Sequence, residues 1–237
     1  MKNIIKPYKK DFDYSYTSGA AVTIELLKTN PGLLEAVYIH SDFKQPDNIM
    51  TLCAQSGITC IYNDAVFRRV NQKENSYVLG VFKKFLPMIT ANASHVVLVN
   101  PSDMGNLGSI IRTLAGFNIN NLAIITPAAD IWNPKTIRAS MGSVFHINFQ
   151  HYESIDKYLE AFPKHHIYTF MLDGELELYP ENISNQQFFS LVFGNEATGL
   201  SENYRYIGTS IKIPQSMMID SLNLSVAVAI GVYLFTL

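Results

Sequence analysis

The sequence predicts an α/β protein whose larger, C-terminal part forms a parallel sheet covered by helices on both faces. Apolar runs of strand length, such as HVVLVN (95–100), NLAIIT (121–126) and FFSLVFG (188–194), alternate with helical segments. Runs that are apolar throughout are typical of parallel strands, which are buried on both faces. The chain has 237 residues, of which 48% are hydrophobic and 16% charged. This composition supports a substantial core in one or two domains.

The front half is predicted to contain short, alternating helices and strands. Thr17 or Ser18 is the predicted cap of a helix carrying Ala21 to Leu27, which the breaker Asn30-Pro31-Gly32 ends. The other predicted elements are strands at 34–39, 59–62 and 77–82 and helices at 47–54 and 64–70. The segment 86–94 has no clear periodicity and is interpreted as a linker. The predicted domains are therefore 1–90 and 95–237.

The back half is more regular and ends in an apolar helix. Its predicted strands are 95–100, 121–126, 167–172, 188–194 and 210–214, with helices at 107–117, 135–144 and 155–162. The closing helix, with Asp220 and Ser221 as predicted N-cap residues, is apolar almost all round. We expect it to be buried in a core or a subunit contact, and it is too short to cross a bilayer.

Charge is distributed unevenly along the chain, although the net charge is only −2. Residues 1–90 contain 11 Lys and Arg against 8 Asp and Glu, whereas residues 91–237 contain 7 against 12. This asymmetry favours an anionic partner for the front half. Cys53 and Cys60 have the spacing of neither a disulfide framework nor a metal site, and the N-terminus has no secretory signal pattern. We therefore expect reduced thiols, a cytoplasmic location and no membrane contact.

Ligands bind parallel sheets at the carboxyl ends of strands, which selects the loops 100–109, 194–201 and 214–221. In the first loop, NPSDMGNLGSIIRTLAGF, Gly105 and Gly108 allow close backbone approach and Asn106 supplies an amide. The G-x-x-G spacing is not the G-x-G-x-x-G of a dinucleotide site, so a nicotinamide oxidoreductase is poorly supported.

Arg112 is the one charged residue on the helix that follows this first loop. Two interpretations of it are open. It is either a helix-flank arginine whose stem covers apolar surface or a bidentate ligand of phosphate.

The other two loops also carry small polar residues between structure-forming segments. In LVFGNEATGLS, Gly194 and Gly199 flank Asn195 and Glu196 and permit a tight turn. The third loop leads into the closing helix. Ser221, Asn223 and Ser225 are predicted to lie in its first turn, where free backbone N–H groups can meet a polar ligand.

In this order, NLGSIIRT, LVFGNEATGLS and IPQSMMIDSLNLSVAVAIG resemble the three motifs of the SpoU/TrmH-type RNA 2′-O-ribose methyltransferases, a branch of the SPOUT superfamily. The resemblance covers roughly 95–237. The front half, with SGAAVTIELL and YVLGVF, is more loosely similar to the family's small, ribosomal-protein-like substrate-binding domain. The resemblance implies a C-terminal trefoil knot, which general rules of chain topology would not predict. It also implies a homodimer formed through the knot and the C-terminal helix.

The activity that this resemblance implies is transfer of a methyl group from S-adenosylmethionine to a ribose 2′-hydroxyl of rRNA or tRNA. The cofactor-binding residues implied are Thr126, Phe193, Gly194, Asn195, Gly199, Ile213, Leu222 and Asn223. The catalytic residues implied are Arg112, Asn106, Glu196, Ser221 and Asn223. Because a guanidinium stays protonated, Arg112 is interpreted as a phosphate ligand that stabilises the developing alkoxide, and not as a base.

The chain departs from the family's third motif at two positions. Met217 stands where the family often has Gly, and Gln215 replaces a usual apolar residue. Both lie in the loop near the expected cofactor, so they bear on its local geometry.

Seven basic residues are candidate contacts for RNA. The candidate contacts are Arg68, Arg69, Lys73, Lys83, Lys84, Lys135 and Arg138, and the alternative for each group is a solvated face. The six histidines have no metal-binding spacing, so no metal is expected.

One alternative function is a catalytically silent knotted RNA-binding scaffold, which predicts loss of Arg112, Glu196 or Asn223, although all three are present. The other is a base-directed knotted RNA methyltransferase, which the SLNLS sequence disfavours.

Overall fold

The computed structural model describes residues 5–70, 76–183 and 188–237, and the chain forms two compact units. The first unit comprises Met1–Phe85 together with Asp130–His146, and the second comprises Leu86–Ala129 and Ile147–Leu237. The division after Phe85 falls at the start of the predicted linker, 86–94.

Along the described part of the chain, the strands are Tyr14–Ser18 (β1), Leu34–Ile39 (β2), Cys60–Tyr62 (β3), Val78–Lys83 (β4), His95–Val99 (β5), Asn121–Ile125 (β6), Asn148–Tyr152 (β7), His166–Phe170 (β8), Leu176–Glu177 (β9), Phe189–Phe193 (β10) and Thr209–Lys212 (β11). The α-helices there are Ala20–Thr29 (α1), Asp47–Gln55 (α2), Asp64–Arg69 (α3), Met104–Gly116 (α4), Pro134–Ala139 (α5), Ile155–Ala161 (α6) and Leu224–Phe235 (α7).

The first unit is built on a four-stranded mixed sheet, in the order β1-β4-β2-β3 within the described residues. Strand β4 is antiparallel to both β1 and β2, and β3 is parallel to β2. Strand β1 was not predicted. Thr17 and Ser18, which the sequence suggested as helix caps, instead lie buried in this strand, where Thr17 Oγ1 contacts Thr23 Oγ1 at 2.7 Å. Helix α1 starts after Gly19, whose φ is +104°, without a side-chain cap.

The segment 130–146 belongs to the first unit, although the sequence assigned it to the C-terminal domain. Its Trp132 ring packs against Phe82 and Phe85, with ring centroids 5.6 and 4.8 Å apart. The carbonyl of Trp132 accepts a hydrogen bond from Ser15 Oγ at 2.6 Å. The local pattern could not predict this assignment because the segment lies in sequence between β6 and β7, which both belong to the other unit.

The predicted helix 135–144 is interrupted. Helix α5 ends at Ala139, and the chain turns through Met141 and Gly142, with φ of +53° and +89°, into a 3-10 turn at Ser143–Phe145. A Cβ atom at Gly142 would lie 2.8 Å from Glu25 Cβ, so close packing within the first unit requires glycine here.

The second unit contains a seven-stranded sheet in the order β7-β6-β5-β10-β8-β11-β9, counted over the described residues. Every neighbouring pair in it is parallel, which confirms the predicted parallel sheet. Strands β5 and β6 are buried along their whole length. The two unpredicted strands, β7 and β9, form the edges of the sheet, where exposed polar residues obscure an apolar pattern.

Helix α7 begins later than predicted and is only partly buried in the single chain. Its N-cap is Asn223, whose Oδ1 accepts a hydrogen bond from Ser225 N at 2.9 Å, so Asp220 and Ser221 lie outside the helix. Val228 and Val232 are buried, but Val226 and Tyr233 are 44% and 50% exposed. The core of the single chain therefore covers only part of the helix, and the alternative of a subunit contact stays a prediction. No helix within the described ranges has the length and apolar character needed to span a bilayer.

A buried polar cluster lies at the amino ends of β5 and β10. His95 Nδ1 is 2.8 Å from Tyr158 Oη, which in turn contacts Ser190 Oγ at 2.6 Å. His165 Nδ1 reaches the same Ser190 Oγ at 2.8 Å. His95 Nε2 is 2.8 Å from the carbonyl oxygen of Thr90 and donates to it, because a carbonyl oxygen only accepts. Burial lowers the pKa of His95 to about 4.

The free energy of unfolding is expected to decrease as the pH is lowered, because of His95. The unfolded chain binds a proton near the usual histidine pKa of 6.5, whereas the folded protein binds it only near pH 4. The stabilisation present above pH 6.5 is therefore lost as the pH falls toward 4, by about 3 kcal/mol. Urea unfolding between pH 7 and pH 4 measures this loss, and His95→Phe should remove most of it. Equal pH dependence in both proteins would contradict the assignment.

Candidate active site

Loops at the carboxyl ends of β8, β10 and β11 surround a cavity of about 430 Å³ in the second unit. This volume lies in the range of about 300–1,000 Å³ that is typical of small-molecule sites. The predicted cofactor-binding residues that line it are Phe193, Gly194, Asn195, Gly199, Ile213 and Leu222. Two predicted catalytic residues, Glu196 and Ser221, also lie on its wall. The second and third motif loops therefore meet, as the carboxyl-end rule predicted.

The glycines of the second motif permit a tight turn after β10. A Cβ atom at Gly194 would lie 2.2 Å from the carbonyl carbon of Gly199, and Gly199 has φ of +64°. Asn195 Oδ1 accepts hydrogen bonds from the backbone N–H groups of Ala197 and Thr198, at 2.9 and 3.3 Å. Asn195 thus closes the turn with its side chain, as an Asx turn does.

Glu196 links the second motif loop to the first. Its Oε2 atom accepts hydrogen bonds from the backbone N–H and hydroxyl of Ser102, at 3.0 and 2.8 Å. Its Oε1 atom accepts from Asp103 N at 3.0 Å and from Asn106 Nδ2 at 3.4 Å. Burial by itself would raise the pKa of Glu196, but the backbone hydrogen bonds from Ser102 and Asp103 outweigh it and hold the pKa below the usual value. Glu196 is therefore an ionised anchor whose oxygens are already occupied.

Asn106 and Asn223 link the first motif to the third. Asn106 Oδ1 accepts a hydrogen bond from Asn223 Nδ2 at 3.0 Å. Asn106 N donates to Asp103 Oδ1 at 2.7 Å, which caps helix α4. Since Asn223 caps α7 through its other amide atom, the starts of α4 and α7 are joined by side chains that the sequence had singled out. Asn223 itself does not line the cavity.

Arg112 lies six residues after Asn106 on α4, about 9 Å further along the helix axis. Its side chain is exposed and does not line the cavity. Among the residues that the structure describes, Arg112 forms no salt bridge, whereas Lys157, Arg205 and Lys212 of the same unit are all paired. Its guanidinium is thus available to an external anion.

Thr126 is not part of the cavity wall. It follows β6, and the strand order puts β5 between β6 and β10. Thr126 Oγ1 donates instead to the carbonyl oxygen of Tyr152 at 3.2 Å. The third-motif departures differ from each other: Gln215 lines the cavity, whereas Met217 is fully exposed and does not.

The loop after β8, which sequence reasoning missed, forms another wall of the cavity through Phe170 to Asp173. The Phe170 and Phe193 rings stack with centroids 4.2 Å apart. This loop also follows a buried strand. However, only the strand order reveals that β8 lies beside β10.

The chemistry of the wall suits S-adenosylmethionine. The acidic side chains on the wall are Asp173, Glu196 and Glu202, and no Lys or Arg of the described ranges is among the lining residues. A ligand that carries a sulfonium, an ammonium and an aromatic base matches a wall of carboxylates and apolar groups.

The candidate RNA contacts lie in the first unit. Arg68 and Arg69 are exposed in the last turn of α3, and Lys135 and Arg138 are exposed on α5. Lys73 lies outside the described residues. With the segment 130–146 included, the first unit has 13 Lys and Arg against 9 Asp and Glu, and the second has 5 against 11. The observed division therefore sharpens the charge asymmetry to +4 and −6.

Removing the Glu196 anchor should destabilise the second unit. In Glu196→Ala, the backbone N–H groups of Ser102 and Asp103 lose a charged acceptor, so we expect the free energy of unfolding to fall by about 2 kcal/mol in urea denaturation. The matched control is Glu181→Ala, an exposed position, where a change under about 0.5 kcal/mol is expected. Equal stability of the two variants would show that the hydrogen bonds of Glu196 are not stabilising.

Comparison with known proteins agrees with this geometry. The SpoU rRNA Methylase family matches residues 93–233. A relative from Bacillus subtilis (strain 168), named 23S rRNA (guanosine(2553)-2′-O)-methyltransferase RlmP, is 25% identical over 218 residues, which cover 91% of this chain and 85% of the relative.

Two solved structures share the fold. The AdoMet-bound rRNA methyltransferase from Sinorhizobium meliloti superposes with a TM-score of 0.78 at 24% identity, over 94% of this chain and 87% of that one. The SpoU methyltransferase AviRb from Streptomyces viridochromogenes gives a TM-score of 0.79 at 20% identity, over 94% and 89%. The family match spans more than half of the chain and confirms the resemblance carried by the three motifs. The protein therefore belongs to the SpoU rRNA Methylase family.

Proposed function

We propose that this protein transfers a methyl group from S-adenosylmethionine to a ribose 2′-hydroxyl of RNA. The observation that carries the proposal is the meeting of the three motif loops. Glu196, Asn106 and Asn223 form one chain of hydrogen bonds beside a cavity with a carboxylate-rich wall. The name of the Bacillus subtilis relative supports ribosomal RNA as the substrate class, within the wider choice of rRNA or tRNA.

The residues that would hold the cofactor are those of the second and third motif loops on the cavity wall, namely Phe193, Gly194, Asn195, Gly199, Ile213 and Leu222. When bound, S-adenosylmethionine supplies a methyl group already activated by its sulfonium. The protein must then orient the hydroxyl, exclude water and assist removal of its proton.

Arg112 is proposed to bind the phosphate next to the target ribose and to stabilise the alkoxide that develops on the 2′ oxygen. Its lack of an ion pair among the described residues supports this role, since the rest of the unit is acidic. A guanidinium remains protonated, so the proton passes to the phosphate or to water. Glu196 is not the base, because its carboxylate is occupied by neutral donors and holds the loops that carry Asn106 and Asn223.

We also propose that the first unit binds the RNA. Its net charge of +4 contrasts with −6 in the second unit. RNA is a polyanion whose affinity for proteins comes largely from Lys and Arg contacts to phosphate. The exposed residues Arg68, Arg69, Lys135 and Arg138 are the proposed contacts.

The finer points of the fold are proposals as well. We propose that the segment 213–223 is threaded to form the trefoil knot of the SPOUT superfamily, and its shared cavity with the loop 194–200 supports this. We further propose a homodimer through α7. Val226 and Tyr233, seven residues apart on α7, are 44% and 50% exposed, and Leu237, which follows the helix, is 78% exposed. An apolar stripe of this kind favours a partner surface.

Replacing Arg112 should separate methyl transfer from cofactor binding. In Arg112→Ala we expect methyl transfer to RNA to fall at least about 100-fold, because phosphate and alkoxide lose their cation. Cofactor affinity, measured by calorimetry, should stay within about twofold, since Arg112 does not line the cavity. Arg112→Lys is the matched variant and should restore only part of the rate, because a lysine cannot bind phosphate bidentately.

The outcomes distinguish the candidate functions. Loss of cofactor binding together with activity would refute the role given to Arg112. Failure of the wild-type protein to bind S-adenosylmethionine would favour the silent scaffold. Mass spectrometry of digested RNA, from cells with and without this gene, should show the loss of a 2′-O-methyl nucleoside. Loss of a base-methylated nucleoside instead would favour the base-directed enzyme.

The proposed dimer can be tested on α7. We expect Tyr233→Asp to shift the protein from dimer to monomer in light scattering, because a carboxylate would be buried unpaired in the contact. Tyr206→Asp, at a residue that is 77% exposed and lies outside α7, should leave the mass unchanged. A wild-type protein that is monomeric at micromolar concentration would contradict the proposal.

A further inference from the structure

Arg205 holds two acidic residues of the cavity wall in one ion-pair triad. Its Nε atom donates to Glu202 Oε1 at 2.9 Å, and its Nη1 atom donates to the carbonyl oxygen of Asp173 at 3.1 Å. Its Nη2 atom is also bonded to Asp173 Oδ2. The Arg205 side chain is only 14% exposed, whereas those of Asp173 and Glu202 are 69% and 64% exposed. The guanidinium is therefore largely covered, whereas both carboxylates are accessible to solvent.

The triad bridges two of the loops that form the cavity. Asp173 lies in the loop after β8, and Glu202 lies in the 3-10 helix Glu202–Tyr206 after the second motif. Both residues line the cavity, and Arg205 does not. The loop after β8 also packs closely on β11, because a Cβ atom at Gly174 would lie 2.4 Å from the backbone of Ile211. Arg205 therefore acts on the cavity through the two carboxylates that it positions.

The triad also determines the charge near the cavity. Asp173, Glu196 and Glu202 carry three negative charges on the wall, and Arg205 offsets one of them. The donors to Glu196 are neutral, so its charge is not cancelled. S-adenosylmethionine carries one net positive charge, through its sulfonium, ammonium and carboxylate. The demethylated product, S-adenosylhomocysteine, has a neutral thioether and no net charge. A negative wall attracts the donor more strongly than the product.

We propose that the Asp173–Arg205–Glu202 triad sets the preference of this cavity for the sulfonium donor over the thioether product. The inference rests on the proposed function and goes beyond it, because it assigns a specificity role to residues outside the three motifs. Arg205 is a positioning residue in this scheme. Its positive charge makes the wall less negative. Its hydrogen bonds join the loop after β8 to the 3-10 helix Glu202–Tyr206.

Two variants that change the charge of the cavity wall in opposite directions test the proposal. Calorimetry gives the dissociation constants of S-adenosylmethionine and S-adenosylhomocysteine for the full chain at 20 mM and 500 mM salt. Arg205→Met makes the wall more negative, so the preference for the donor should rise about threefold at low salt. Glu202→Gln makes it less negative, so the preference should fall by about the same factor. Both changes should shrink at high salt.

A matched control removes a cation elsewhere in the same unit. Lys157 is paired with Glu160 on α6 and does not line the cavity, so Lys157→Met should leave the preference unchanged. If Arg205→Met does not fold, Glu202→Gln decides the question by itself, since it keeps a hydrogen-bond acceptor for Arg205.

The results that would overturn the proposal are distinct from failure of the proposed function. A purely structural triad would weaken donor and product by the same factor in both variants, and that result would overturn the inference alone. A shift of the same sign in both variants, or one equally large at 500 mM salt, would also overturn it. If the wild-type chain binds neither compound, the proposed function fails and the inference fails with it.

Discussion

The carboxylate of Glu196 is the contact on which the site depends. It accepts hydrogen bonds from backbone and side chain of the first motif loop, while its own backbone belongs to the turn after β10. A charged acceptor with several donors is both strong and directional. It therefore fixes the start of α4 against the cavity. Through Asn106 and Asn223 the same order extends to the start of α7.

Charge is separated between the two units in a way that suits two ligands of opposite charge. The first unit is basic and gains Lys135 and Arg138 from the segment 130–146. The second is acidic, and three of its carboxylates line the cavity. A cationic cofactor is attracted by negative charge and a polyanionic substrate by positive charge. A surface with one sign of charge throughout would repel one of the two ligands. Arg112 lies in the acidic unit and forms no salt bridge with any residue that the structure describes, which supports its proposed role as a phosphate ligand.

Asn223 shows how one short polar side chain connects secondary structure to the site. Its Oδ1 atom caps α7 by accepting from Ser225 N, and its Nδ2 atom donates to Asn106. Capping alone explains a polar residue before an apolar helix. The second hydrogen bond explains why the position of that cap matters to the cavity. The helix that follows packs on Phe170 and Phe193 through Gly231, and its opposite stripe stays exposed.

The sequence by itself determined the parallel sheet, the three loops at its carboxyl ends and the family, because apolar runs and loop chemistry are local properties of the chain. The resemblance implied Glu196, Asn106 and Asn223 as site residues, and the structure joins these three side chains by hydrogen bonds. Tertiary structure alone decided which strands are neighbours. That order brings the loop after β8 to the cavity and keeps Thr126 away from it. It also decided that the segment 130–146 joins the first unit. These outcomes depend on contacts between residues far apart in sequence, which no local pattern records.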